Sequence, residues 1–277
     1  MYRNLLLFGL VVALFCGPLV TTNAADVEKG LWLYLPLDEA TGTAPKDHGP
    51  NAFKTELSKK APGVKDAGHN KIKQAPVFNG KDNFVKIDMA GQKKDIDSGY
   101  DAKKGLSICA WVKVIKVATD GHAQTRQPIV MKGAGGMWEF ALYVYDSVGA
   151  GMSMWTCGGA GVSEPSAGGS LALGKWKHQC GTFKLKEGVK VYVDGNPKPV
   201  TEAADKGNGP CETGTRPVFI AHREDGQWLN AQIAEVWIWD HVVDTDVMKQ
   251  VMNTIGGLAV NPEDKVATTW GKIKVRQ

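Results

Sequence analysis

The sequence has almost no helical period. Until near its end, no stretch repeats apolar residues at i, i+3, i+4 and i+7, which excludes a helical bundle. Dense Lys/Arg blocks are missing too. A net charge of +4 spread over 277 residues is mild and argues against a nucleic-acid partner. No CxxC occurs, and the cysteine spacing fits no zinc site. G-x-S-x-G and H-E-x-x-H are absent, which removes the commonest serine-hydrolase and zinc-protease signatures. The GAGG run at Gly133 to Gly136 lacks the Lys-Ser/Thr of a phosphate loop. His48, His69, His122, His178, His222 and His241 are scattered without ligand spacing.

What is present begins with a targeting segment. Arg3 supplies a positive start, Leu5 to Val20 is an apolar run, and Thr22-Asn23-Ala24 has small residues at the cleavage-determining positions. That is a secretory signal peptide over 1–24, cut after Ala24. The apolar run is short for a membrane anchor, and no later segment is long enough to cross a bilayer. Phe15 before Cys16 is too bulky for a lipoprotein site. The expected location is therefore secreted, periplasmic or at the cell surface. Cleavage leaves Cys109, Cys157, Cys180 and Cys211. An even count in an exported chain allows two disulfides in any of three connectivities. Buried free thiols are the alternative, since Cys109 and Cys180 lie in strand-like runs.

Strand signals recur along the rest of the chain. They fall at Gly30 to Leu37, Leu106 to Val117, Gln127 to Lys132, Met137 to Tyr145, Met152 to Cys157, Arg216 to Ala221 and Ala231 to Asp240. Pro76 to Asp88 reads as a hairpin about Asn79-Gly80. His178 to Lys184 and Val189 to Asp194 read as another, with Asp194-Gly195-Asn196 as the turn that follows. About ten short strands with turns between them predict an all-β antiparallel sandwich or jelly roll. One short helix is expected afterwards, capped by Asp244, with Val247, Met248 and Val251 as its apolar face and Gly256-Gly257 ending it. Asn51 to Lys73 is polar and reads as a loop across a sheet edge. Gly158 to Gly174 reads as a second long loop. Asp95, Asp97 and Asp101 read as solvated loop charge.

The order of segments resembles a known family. YLPLDEATGTAPKDHGPNAF (Tyr34 to Phe53), VFNGKDNFVKID (Val77 to Asp88), LSICAWVKV (Leu106 to Val114), PIVMKG (Pro128 to Gly133), WKHQCGTF (Trp176 to Phe183), VKVYVDGN (Val189 to Asn196) and QIAEVWIWDHVV (Gln232 to Val243) are collinear with the laminin G-like jelly-roll branch of the concanavalin A-like lectin/glucanase group. The resemblance covers roughly residues 30 to 255 and implies two packed antiparallel sheets. It sets the organisation as signal peptide 1–24, laminin G-like domain 25–255 and basic tail 256–277. The fold hosts lectins, adhesion modules and glycosidases alike, so it does not choose a function. Trp111 and Trp176 stand where the family commonly has tryptophan, and core packing is the reading for both. His178 falls where the family often has a strand histidine, read as structural.

The glucanase relatives carry catalysis on Glu-x-Asp-x-Glu, which this chain lacks. EVWIWD, Glu235 to Asp240, holds two acids, but they are five residues apart. In a regular strand they point to opposite faces, whereas a glycosidase needs both on one side. Glu235, Trp237 and Trp239 form one row, and Val236 and Ile238 form a buried apolar row. A bulge between the acids could realign them, but the middle carboxylate would still be missing. The reading is therefore a non-catalytic module that binds carbohydrate or an extracellular protein. A glycosidase with displaced acids and a purely structural adhesion protein are the alternatives. Sugar contacts need exposed aromatic rings. Tyr143 and Tyr145 share a face with Glu139, while Trp138 shares the other with Phe140 and Leu142 and reads as core. Trp155 and Trp228 border loops, and Trp237 and Trp239 complete the candidate ligand-binding set. Calcium is the one ion the resemblance brings, through Asp47, Asn51 and Glu235. The family's Ile-Asp-Glu-Val reads Ile233-Ala234-Glu235-Val236 here, with one ligand lost.

Overall fold

A computed structural model describes residues 24–60, 62–90, 104–118, 125–156, 161–206, 211 and 214–256. The signal-peptide span 1–23, the acids Asp95, Asp97 and Asp101, and Cys157, His122, Gly257 and the rest of the tail lie outside them. Among the described residues, no helix is long and apolar enough to cross a membrane.

Among the described residues, the chain folds into two antiparallel sheets of eight strands each, packed as a jelly-roll sandwich, with one separate two-stranded hairpin. In the first sheet the order is Thr201–Ala203, Gly188–Val193, Trp176–Lys184, Leu106–Lys116, Asn230–Trp239, Gln74–Asn79 and Gly63–Asp66, with Leu31–Leu35 also paired to Asn230–Trp239. In the second it is Gly161–Ser163, Gly149–Thr156, Met137–Tyr145, Arg126–Ala134, Val218–Ile220, Val85–Ile87 and Thr55–Leu57, with Ser166–Ala167 on Gly149–Thr156. Alternation places the core where the pattern predicts it. Val191 and Val193 face inward while Lys190 and Tyr192 do not. Leu33, Leu35, Ile108, Val112, Phe140, Leu142, Val236 and Ile238 fill the space between the sheets.

Three sequence expectations change. Pro76 to Asp88 is not a hairpin: Gln74–Asn79 belongs to the first sheet and Val85–Ile87 to the second. Asn79-Gly80 does turn the chain, but it hands it from one sheet to the other, and a local turn signal does not specify which strand will pair. Asn51 to Lys73 contributes two edge strands, Thr55–Leu57 and Gly63–Asp66. Neither has a buried face, so neither shows alternation. Gly158 to Gly174 likewise contains two short strands on Gly149–Thr156. Other expectations hold. Trp176–Lys184 and Gly188–Val193 form the hairpin. The helix spans Thr245–Asn253, the Asp244 side chain accepts from Asp246 N and Val247 N, and Val247, Met248 and Val251 are buried.

Cys109 and Cys180 stand directly opposite on neighbouring strands and are joined by a disulfide. Cys211 is disulfide-bonded as well. On the outer face of the first sheet, the bond packs with Trp237, Trp239, Tyr34 and the buried residues of the two helices, Ala24–Glu28 and Thr245–Asn253. That face is therefore closed, whereas the outer face of the second sheet keeps half-buried aromatic rings.

Candidate functional site

The outer face of the second sheet is built by a register shift. Lys132 stands opposite Phe140, but the next residue, Gly133, stands opposite Trp138. Glu139 is therefore an extra residue, a bulge, and it reverses the phase of the strand. Trp138 consequently leaves the core row of Phe140 and Leu142 and joins Ala141, Tyr143, Tyr145 and Trp155 outside. This corrects the core assignment of Trp138, which assumed unbroken alternation. Gly135 and Gly136, both at positive φ (64° and 76°), close the tight turn that precedes it.

The rings on this face are tied together by charged groups. Trp138 and Trp155 are half-buried with centroids 5.9 Å apart. The Arg223 guanidinium lies 4.3 Å above the Trp138 ring, a cation–π contact. Arg223 Nη1 donates to Tyr143 Oη at 2.9 Å, and Nε donates to Asp225 Oδ1 at 2.7 Å while Nη2 pairs with Asp225 Oδ2. Tyr143 is buried, and burial first of all pushes its phenol up to about 12, against the Arg223 charge. Tyr145 is half-buried and donates to Glu164 Oε1 at 2.6 Å. Burial, then this bond to Glu164, holds its phenol above the usual range. Arg126 Nε pairs with the same Glu164 oxygen. Gly151 makes room for Tyr145, because a Cβ there would sit 2.2 Å from Tyr145 Cε2.

Of the predicted ligand-binding residues, Tyr145 and Trp155 come together here beside Tyr143, which is itself fully buried, offers no surface to a ligand and accepts from Arg223. Trp228 does not join them. It stacks on His222 at 3.9 Å, within a cluster containing Phe84 and Phe219. Burial pushes the His222 imidazole down to about 4. Its hairpin, His222–Arg223 with Gln227–Trp228, is what presents Arg223 to Trp138. Trp237 and Trp239 are fully buried and offer no surface to a ligand. Tyr34 stacks on Trp237 at 3.6 Å, and Trp239 Nε1 donates to Val27 O at 2.7 Å. Arg126, Glu164, Arg223 and Asp225 escaped the sequence reading. They are polar residues in separate short segments, and only the pairing of strands brings them to one face.

A second locus surrounds Glu235. Between Ala234 and Trp237 the closing strand carries another bulge. Glu235 sits in it at φ 53°, a left-handed conformation that is strained for this side chain. It is buried, accepting from Tyr34 Oη at 2.7 Å and from Gly256 N at 2.9 Å. Burial raises its carboxyl to about 7, with the nearby Asp38 charge adding to the rise and the two hydrogen bonds opposing it. It borders a cavity of about 490 Å³ together with Asp38, Ile72, Gln74 and Ile255. Asp240 is not aligned with it; that carboxylate meets His241 Nδ1 at 3.1 Å instead.

Asp47, Asn51 and Glu235 do not fit a calcium shell. Asp47 Oδ1 accepts from Tyr34 N and Gly49 N, and Oδ2 from Phe53 N, all at 2.8–2.9 Å. Its carboxylate folds the first loop. Asn51 Nδ2 donates to Trp32 O at 2.8 Å, pinning the same loop. Among the described residues, the one cluster of three His, Cys or acidic ligand atoms is Cys109, His178 and Cys180, whose sulfurs are already bonded together. His178 is buried, and burial drives its imidazole down to about 3.

The laminin G family model described as concanavalin A-like lectin/glucanases superfamily matches residues 82–246. No curated protein matches the chain. Among solved structures, the receptor-binding domain of botulinum neurotoxin C/D mosaic serotype is similar at TM-score 0.60 and 12% identity, covering 82% of this chain and 51% of that one. The ligand-binding domain of botulinum neurotoxin serotype D in complex with N-acetylneuraminic acid has TM-score 0.60 and 12% identity, covering 83% and 52%. A structure titled for type C cell entry through two ganglioside molecules has TM-score 0.61 and 11% identity, covering 85% and 53%. The chain spans about half the length of each. At such identity the likeness is one of fold.

Proposed function

The chain belongs to the concanavalin A-like lectin/glucanases superfamily, and from that premise we propose that it is an exported, non-catalytic module that recognises carbohydrate. The observation that carries this reading is the half-buried Trp138–Trp155 pair beside Arg223, Tyr145 and Glu164. Flat rings accept the apolar face of a pyranose, and the polar network around them bonds its hydroxyls. Support also comes from two proteins of similar fold over about half their length, one solved with N-acetylneuraminic acid and one whose cell entry depends on two ganglioside molecules. The Cys109–Cys180 disulfide suits an oxidising compartment, which agrees with the signal-peptide reading. A glycan array on the purified protein, followed by titration calorimetry, tests the proposal. Trp155→Ala is expected to weaken the best glycan about tenfold, from about 1.4 kcal/mol of lost stacking. Absence of binding to every glycan would overturn it and favour a protein partner.

Hydrolysis is a second reading with one observation on its side. Glu235 titrates near neutrality beside a cavity that Asp38 also lines. Release of reducing ends from the bound glycan, abolished in Glu235→Gln, would establish it. The module reading expects no such release.

A further inference from the structure

The charges on the aromatic face carry an inference about which sugars it accepts. Resting on the reading of this face as the glycan site, we propose that it selects neutral, hydroxyl-rich sugars and rejects carboxylated or sulfated ones. An acidic sugar is normally held by a guanidinium whose paired N–H groups meet the carboxylate. Two arginines border these rings, and each already has a carboxylate partner within the chain. Arg223 is bound to Asp225 through Nε and Nη2, and its Nη1 serves Tyr143 Oη. Arg126 is bound to Glu164, which also accepts from Tyr145.

The other cations of this region are committed as well. Lys132 Nζ donates to the carbonyls of Gly214 and Arg216, and Arg216 Nε donates to Ala134 O. Among the described residues, the two arginines beside the rings are thus each matched by a carboxylate of the chain. The Arg223 side chain is 6% exposed, so a ligand carboxylate reaching it must enter a poorly hydrated place and displace Asp225. Sugar hydroxyls make no such demand. They accept from guanidinium N–H groups and donate to carboxylate oxygens such as those of Glu164, while the ring face covers Trp155.

The test uses one neutral oligosaccharide and the same oligosaccharide carrying a terminal sialic acid. Both are titrated calorimetrically into the full mature chain, its Glu164→Gln variant and its Asp225→Asn variant. The neutral form should bind the wild type at least about tenfold more tightly. Each variant should gain about tenfold for the sialylated form, because one arginine loses its partner. A tighter sialylated complex with the wild type would overturn this inference while leaving the glycan reading intact. Failure of both sugars to bind would overturn the glycan reading itself. The wild-type ratio decides the matter even where a variant folds poorly, which its thermal unfolding reveals.

Discussion

Glu235→Gln should change the pH dependence of stability in one direction. An ordinary glutamate carboxyl is at 4.5, and burial lifts this one to about 7. That difference corresponds to about 3 kcal/mol, reduced somewhat because the group is not wholly cut off from solvent. A folded-state value above the unfolded one means that the stability is complete below about 4.5. It is lost as pH rises through about 7, where a charge must be carried in the buried site. The glutamine never ionises. Its carbonyl can still accept from Gly256 N, and its amide can donate to Tyr34 Oη. The variant should therefore match the wild type near pH 4.5 and exceed it by about 2–3 kcal/mol above pH 8. Urea unfolding of both proteins from pH 4.5 to 8.5 measures this. The difference between the two curves is the quantity to read. His178 and His222 are depressed to about 3 and 4 and, in both proteins alike, lose stability as pH falls below the ordinary histidine range. A flat difference, or a variant weaker at pH 8.5, would refute the burial argument.

Three further outcomes are expected. Gly151→Ala should push Tyr145 off Gly149–Thr156, since its Cβ would stand 2.2 Å from Cε2, and should weaken both glycan binding and the Tyr145–Glu164 bond; a crystal structure with Tyr145 in place would contradict this. Replacing Cys109 and Cys180 together by alanine opens a link across 71 residues and should cost about 4 kcal/mol in denaturant unfolding. Asp244→Ala removes the acceptor for Asp246 N and Val247 N. It should cost about 1 kcal/mol and leave glycan affinity unchanged, because the helix lies on the opposite sheet.

The sequence carried the helix and its cap because Asp244, Val247, Met248 and Val251 signal within a few residues of each other. It also carried Tyr143 and Tyr145 as an outward pair, because their strand alternates regularly there, and Trp155 as a ring beside a Gly-rich loop. Its error at Trp138 has a single cause. The bulge at Glu139 depends on how the strand sits against Arg126–Ala134, and nothing in MWEF announces it. The arginine–carboxylate pairs were invisible for a related reason: Arg223 meets Trp138 and Tyr143 across about eighty residues of chain.

EVWIWD divides these two kinds of knowledge. Its alternation placed Val236 and Ile238 in the core and Trp237 and Trp239 on the other side, as the period of a strand requires. Whether those tryptophans are wet was settled by two helices that close over them: Ala24–Glu28, distant in sequence, and Thr245–Asn253, which folds back over the strand it follows. The bulge at Glu235 was settled by its partner strand, where the three steps from Ala234 to Trp237 match only two from Trp111 to Cys109. Periodicity is local and can be read along one chain. Register and burial belong to pairs of segments, and they exist only once the sheets have formed.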